Sequence, residues 1–316
     1  VIGELPEQVP YQEWAHSDYA GEQSCQSCHM PVVEDSIPVT GVLGVERAEV
    51  SRHVFRGGNF FMLRMLNRYR DELGVEARPE ELASTIRQTE EHLRTRSALL
   101  AIGDSRVEDG RVDIELSVEN LAGHKLPTAY PSRRVWIHLT VRDAGGDVVF
   151  ESGALEPSGR IVGNDNDDDP DRFEPHYERI ESEDAVQIYE PILVGPDGAV
   201  TTGLLTATTY AKDNRLLPTG FDKSTAPEDV AVHGEALADP DFTDGSDRVV
   251  YSIDVGAAQG PFTVEAELWY QPIGYRWARN LAAYDAFETR RFVRYYESMS
   301  DVSGLVLART RGVIPE

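Results

Sequence analysis

A chain of 316 residues is about twice the usual single-domain length, so more than one domain and a sizeable core are expected. Its 55 acidic residues against 30 basic ones give a formal charge of −25, which repels nucleic acid and anionic lipid surfaces and argues against both as partners. Hydrophobic residues make up 41% of the chain, enough to build a core, and no run of about 18 apolar residues is present to span a membrane as a helix.

The opening Val1-Ile2-Gly3-Glu4-Leu5-Pro6 has neither a basic start nor an apolar stretch, so it reads as a mature form after signal-peptide removal. From Tyr11 to His29 the pattern is mixed, with Trp14 as an aromatic anchor for a core or a cofactor edge. Then comes Cys25-Gln26-Ser27-Cys28-His29-Met30, which holds the two cysteines of the whole sequence. In C-x-x-C-H each thiol can add to one vinyl group of haem, and the adjacent His29 is held where its imidazole can bind the iron as proximal ligand. A thioredoxin-like pair expects a strand before the motif, and a zinc site needs a second pair of ligands; neither is present. A Cys25–Cys28 disulfide is the plainer alternative. Haem attached in this way is assembled outside the cytoplasm, so a periplasmic or extracellular location is expected.

Residues 31 to 50, with Pro31, Pro38, Gly41 and Gly44, read as a loop. His53 stands just before Gly57-Gly58-Asn59 and is the first candidate for the sixth iron ligand, the two glycines allowing backbone to approach a macrocycle closely. Asn59 can cap a helix from about Phe60 to Leu73, stopped by Gly74. Met62 and Met65 on it suit core packing. A second helix starts at Pro79, carries Glu80 and Glu81 in its first turn, and runs to about Leu100; His92 in its middle reads as an ordinary helix histidine.

After Gly110 the period changes to alternation. Val112-Ile114-Leu116-Val118 and Val135-Ile137-Leu139-Val141 are strands, and the latter makes a hairpin through Gly145-Gly146 with residues 147–151. Further strands are expected at 185–192, 200–210, 248–255 and 262–270, and helical spacing returns over 277–299. Between the first two strands, Gly123-His124-Lys125-Leu126-Pro127 is a distinctive loop, and His124 is the second candidate for the distal iron position. Arg133 and Arg134 could pair with a haem propionate or with a carboxylate. In 163–171 the acidic loop offers Asp165, Asp167 and Asp169 as hard oxygen donors for calcium, although it lacks the complete EF-hand pattern; a solvated acidic loop is the alternative.

These segments together resemble a family of secreted bacterial c-type cytochromes, whose members often carry several haems. The likeness rests on Trp14-x-x-Ser17, Cys25-Gln-Ser-Cys28-His29-Met30-Pro31, His53-x-Phe55-x-Gly57-Gly58-Asn59 and Asn120-x-x-Gly123-His124-Lys125-Leu126-Pro127-Thr128 with Pro131-Ser132-Arg133-Arg134. It continues through Glu174-Pro175-His176-Tyr177, Val186-Gln187-Ile188-Tyr189-Glu190 and Lys212-Asp213-Asn214-Arg215-Leu216-Leu217-Pro218. The resemblance implies a haem c module fused to an all-β domain, with His29 and His53 as axial ligands. One C-x-x-C-H means one covalent haem c. The expected architecture is α+β and multidomain: a small helical haem module over 1–104, an antiparallel β-sandwich over 105–276, and a C-terminal helix and tail over 277–316. The expected function is electron transfer with other redox proteins or cytochromes, the β-domain serving for docking or self-assembly into an oligomer or filament. The competing readings are a haem enzyme or gas sensor with an open sixth position, and a mainly structural assembly protein. No motif for hydrolysis or phosphoryl transfer accompanies them.

Overall fold

The computed structural model describes residues 5–315. Its centre is a pair of β-sheets, mixed with helices in an α+β arrangement. Naming the long strands in chain order, β1 is Ala98–Glu108, β2 Arg111–Asn120, β3 Arg134–Arg142, β4 Val148–Ser152, β5 Ser246–Asp254, β6 Phe262–Gln271 and β7 Leu305–Ile314. One sheet runs β1-β2-β5 with Arg179–Ile180 at its edge, and the other runs β7-β6-β3-β4 with Ile188–Tyr189 also on β3. The long pairings are antiparallel, while Arg179–Ile180 joins β5 in parallel.

Alternation decides which side chains enter the core. Val112, Ile114, Leu116 and Val118 of β2 are fully buried, as are Val135, Ile137, Leu139 and Val141 of β3, and all belong to one hydrophobic cluster. Two sheets each with one apolar face bury those faces against each other, as a β-sandwich does.

The helices lie on this core. Asn59 Oδ1 accepts from Met62 N at 3.0 Å and starts α3 (Phe60–Arg68), which follows α1 (Pro10–Ala15) and α2 (Cys25–His29). A separate turn, Arg70–Leu73, comes next, so the helix expected to reach Leu73 is broken at Tyr69. The helix α4 (Pro79–Arg96) begins with proline in the first turn. Phe60, Phe61, Met65 and Leu93 enter the same cluster as the sandwich residues. After β6 come α5 (Tyr275–Leu281) and α6 (Phe287–Glu297), and α6 meets the N-terminal helices through the stacked rings of Tyr69 and Tyr295, 3.8 Å apart.

Several sequence expectations are revised. The helix expected to run to Leu100 ends at Arg96, and Ala98–Glu108 is a sheet strand, so the sheet begins before residue 105. The stretch 277–316 holds two helices and then β7, which pairs with β6 from Phe262↔Ile314 to Tyr270↔Leu305. Leu305, Leu307 and Ile314 are buried while Arg309 and Arg311 of the same strand form ion pairs with Glu267 and Glu265 of β6; charged residues in the outward positions hid this strand from an apolar count. The expected strands at 185–192 and 200–210 are each two short ones, with Pro191–Val194, Val200–Thr201 and Thr209–Asp213 making a small separate sheet. The hairpin of β3 and β4 forms as expected.

Candidate haem site

Ser24 caps the short helix that carries the C-x-x-C-H motif. Both thiols are free and exposed on it, with no disulfide between them. The backbone of 50–56 runs back along 29–33: Val33 N donates to Val50 O, Arg52 N to Pro31 O and Arg56 N to His29 O. His29 Nδ1 sits 2.5 Å from Arg56 O. A ring nitrogen bonded to a carbonyl oxygen carries the proton, so the Nε2 lone pair of His29 is left for a metal.

Two other imidazoles approach that of His29. The His124 ring centroid is 6.1 Å away with the planes 14° apart, and the His92 centroid is 5.7 Å away at 53°. His124 Nδ1 is likewise 2.9 Å from a backbone oxygen, that of Lys125, which leaves its Nε2 free in the same way. Burial lowers the pKa of His124, and burial together with the neighbouring His29 pushes that of His92 down to about 4. Both are neutral at pH 7, the form that binds metals. His53 is on the exposed part of the returning segment with Phe55 as its ring neighbour, and the structure does not group it with these three.

The loop bearing His124 is held from several directions. Glu13 of α1, fully buried, accepts from Lys125 N at 3.1 Å, from Thr128 Oγ1 at 2.5 Å and from Arg215 Nη1 at 2.9 Å. Lys125 Nζ is 2.7 Å from Asp213, whose other partner is Arg215, so the four charges balance inside the protein. Asn120 donates to His124 O, Leu216 O and Leu217 O. Trp14 and Tyr19 pack on Gly123, and Ser17 Oγ reaches Gly123 O. The Trp14, Gly123-His124 and 212–218 motifs of the sequence thus meet at one place.

The surroundings suit a haem. Seven apolar side chains of the segment that follows the motif, Val32, Val39, Val42, Leu43, Val45, Val54 and Phe55, are exposed, a cost that an apolar macrocycle would remove. Arg56 and Arg133 each have a buried Nε without a hydrogen-bond partner, Arg133 holding Thr128 O through Nη1, and Arg56 contributes to lowering the pKa of His92 as Arg133 does that of His124. Such guanidinium groups match haem propionates. Of the two glycines before Asn59, Gly58 stands against the Tyr270 hydroxyl, while Gly57 has open space around it.

The remaining sequence candidates have other partners. Arg134 makes a bidentate pair with Asp167 at 2.8 and 2.9 Å, so it pairs with a carboxylate and is not available to a propionate. Asp167 also accepts from Ile161 N; Asp165 pairs with Arg172 at 2.5 Å, and Asp169 accepts from Asp171 N. These three acids do not converge on a cation site, because local cations and N–H groups already neutralise or solvate them. Among the described residues, the carboxylate and imidazole atoms that do converge belong to His176, Asp239 and Asp247. Among the described residues no helix is long and apolar enough to cross a membrane.

No protein-family model matches this chain, and neither does any curated protein. Among solved structures it is similar to a penta-haem cytochrome c552 from Thermochromatium tepidum, at 17% identity and a TM-score of 0.48, over 98% of this chain and 51% of that one. The chain spans about half the length of that protein.

Proposed function

We propose that this protein is an extracytoplasmic monohaem c-type cytochrome that passes one electron at a time, with haem joined to Cys25 and Cys28, His29 as proximal ligand and His124 as distal ligand. The observation that carries the reading is the approach of His29 and His124, from segments 95 residues apart, with each Nδ1 tied to a backbone carbonyl. Two imidazoles on opposite faces of one metal, with each nitrogen about 2 Å from it as at zinc, have ring centroids roughly 6 Å apart. The His29 and His124 centroids are 6.1 Å apart. A haem would supply a reversible one-electron couple; the backbone carbonyls of Arg56 and Lys125 orient the two imidazoles, and the 31–55 segment, Arg56 and Arg133 would hold the group. A site filled on both faces leaves no position for substrate, which favours electron transfer over catalysis.

The partners on this reading are redox proteins or further copies of the chain whose own cofactors come close to the exposed motif. Self-assembly into an oligomer or filament belongs to the same proposal. Sedimentation of the haem-loaded protein checks it: a concentration-independent monomer removes the assembly part.

Low-temperature electron paramagnetic resonance of the oxidised protein tests the ligand set, with reduced spectra in the presence of carbon monoxide. The wild type is expected to be low-spin bis-imidazole without carbon monoxide binding. His124→Ala should turn high-spin and bind carbon monoxide, while His53→Ala and His92→Ala keep the wild-type spectra. Loss of the low-spin signal in His53→Ala alone would return the distal position to His53. A second reading, a haem enzyme or gas sensor, is favoured by one observation: neutral His92, 5.7 Å from His29, could serve as a distal hydrogen-bonding group at an open position. A high-spin wild type that binds carbon monoxide would put that reading first.

A further inference from the structure

His176, Asp239 and Asp247 bring one nitrogen and two carboxylate oxygens within 4.8 Å of one another, with side chains at most 1% exposed. By composition this resembles a metal centre, and Asp247 Oδ1 is a buried oxygen with no hydrogen-bond partner, 3.8 Å from His176 Nε2. A hydrogen-bond accounting points elsewhere. Gln187 Oε1 accepts from Tyr177 N, and Asn214 Oδ1 accepts from Glu190 N, so both amides are pinned with their NH₂ groups on the opposite side. Each of those NH₂ groups has two acceptors: Gln187 Nε2 meets Asp247 Oδ2 and His176 Nδ1, and Asn214 Nδ2 meets Ile188 O and His176 Nδ1. His176 Nδ1 is therefore an acceptor twice over and bears no proton. The ring proton of the neutral imidazole sits on Nε2, from which it is donated to Asp239 Oδ2 at 3.0 Å. An Nε2 that carries hydrogen has no lone pair for a metal.

What remains is two buried carboxyl groups side by side. Asp239 is the ionised one: it receives the His176 proton and the N–H of Asp241, and its lowered pKa reflects these hydrogen bonds. Asp247 receives the Tyr189 hydroxyl at 2.6 Å and the Gln187 amide on Oδ2, with nothing on Oδ1. Two carboxylates this close in a buried place do not both ionise without a cation between them. We propose that Asp247, within 4.8 Å of Asp239 and His176 in this cluster, holds a proton on its unpartnered Oδ1, which makes the cluster a proton-binding joint between β5 and the 239–241 turn and not a metal site. A third carboxyl group, Asp241, stands next to Asp239: its Oδ1 is also buried without a partner and burial and Asp239 raise its pKa, but its Oδ2 is held by Arg248, a pairing that Asp247 lacks. Lys223 donates to the backbone oxygens of Ala236 and Asp239, and Lys212 pairs with Glu190. Burial is the first cause that raises the Asp247 pKa, to about 7, and it pushes that of His176 down to about 4, so the imidazole does not compete for the proton.

The sign of the pH effect follows. The folded protein keeps a proton that an unfolded aspartate, with a pKa of about 3.9, has released. The stabilisation is complete below about pH 4 and is lost as the pH rises to about 7, after which both states have released the proton. Asparagine at 247 copies the neutral acid and cannot titrate. The test is denaturant unfolding of the haem-loaded wild type and of Asp247→Asn from pH 4.5 to 8.5. Between about pH 4.5 and 7 the ratio of their unfolding constants should change tenfold per pH unit, the variant gaining relative stability as the pH rises. A ratio that stays constant across this range overturns the proposal. If the variant does not fold, carbon-13 carboxyl shifts of aspartate-labelled wild type report the same property: one aspartate titrating near pH 7, and moving upward in Tyr189→Phe, is expected. No aspartate titrating above pH 5.5 overturns it. So does a rise in wild-type melting temperature with added zinc or manganese that Asp247→Asn lacks, since that would make the cluster a metal site. None of these readouts depends on how the haem iron is ligated.

Discussion

Arg134 is 3% exposed, yet its guanidinium has a partner in every direction: Asp167 twice, Gln271 Oε1 at 2.8 Å and Gly159 O at 3.2 Å. Desolvating such a pair costs nearly as much as it returns, so its stabilising role appears mainly when one partner is removed. Asp167→Ala is expected to lose about 3–5 kcal/mol in denaturant unfolding because it strands a buried cation. The double change Arg134→Met with Asp167→Leu should lose much less, and an equal loss in both would show that packing around 159–167, not charge, sets the cost. The same view explains the lysines. Only Lys125, Lys212 and Lys223 occur among 30 basic residues, and the first two are buried in ion pairs while the third is half-buried under backbone carbonyls. An ammonium on a flexible stem fits these small, carbonyl-lined spaces, whereas the surface cations of the chain are arginines.

At the level of elements, the candidate site is made by contacts between segments that are distant in sequence. Helix α1 is six residues long, too short to stand alone, and is held by Glu13 against the 125–128 loop and Arg215. Gly123 is the contact point of this joint: a Cβ there would lie 3.1 Å from Tyr19 and 3.2 Å from Trp14. Gly123→Ala is therefore expected to cost about 1–3 kcal/mol by overpacking and, if His124 is an iron ligand, to perturb the low-spin signal. A variant with unchanged stability and spectrum would mean that the two aromatic rings move aside freely. Asn59→Ala should cost about 1 kcal/mol by removing the cap of α3, without altering the spectrum.

Across the whole molecule, the net charge of −25 is the dominant long-range term. Self-repulsion of the compact state is screened over about 10 Å at 0.1 M salt. The melting temperature should rise when sodium chloride is raised from about 10 mM to about 150 mM, a range in which the Debye length falls from about 30 to 8 Å. A flat or falling curve would show that attractive surface pairs such as Arg309–Glu267 and Arg248–Asp241 outweigh the net repulsion.

The amino-acid order alone determined the C-x-x-C-H motif as the candidate haem site, the capped start of α3 at Asn59, the proline start of α4, and the alternating strands β2, β3, β5 and β6. Each of these depends on residues within a few positions of one another, where spacing and backbone preference act directly. It was ambiguous where charged residues face outward, as in β7, and where a helix yields to a strand within two residues, as between Arg96 and Ala98. It could nominate His53 and His124 for the iron but not rank them by proximity, and it read His92 as an ordinary helix histidine, since nothing local distinguishes a histidine aimed at a partner far along the chain. The acidic run at 163–171 looked like a cation loop because its counter-charges, Arg134 and Arg172, are recruited by folding. The meeting of His29 with His92 and His124, the enclosure of Lys125 with Asp213, Arg215 and Glu13, and the proton cluster of His176, Asp239 and Asp247 were decided only by the tertiary structure. Packing the two sheets and the helices brings these groups together, and burial then fixes which of them are charged.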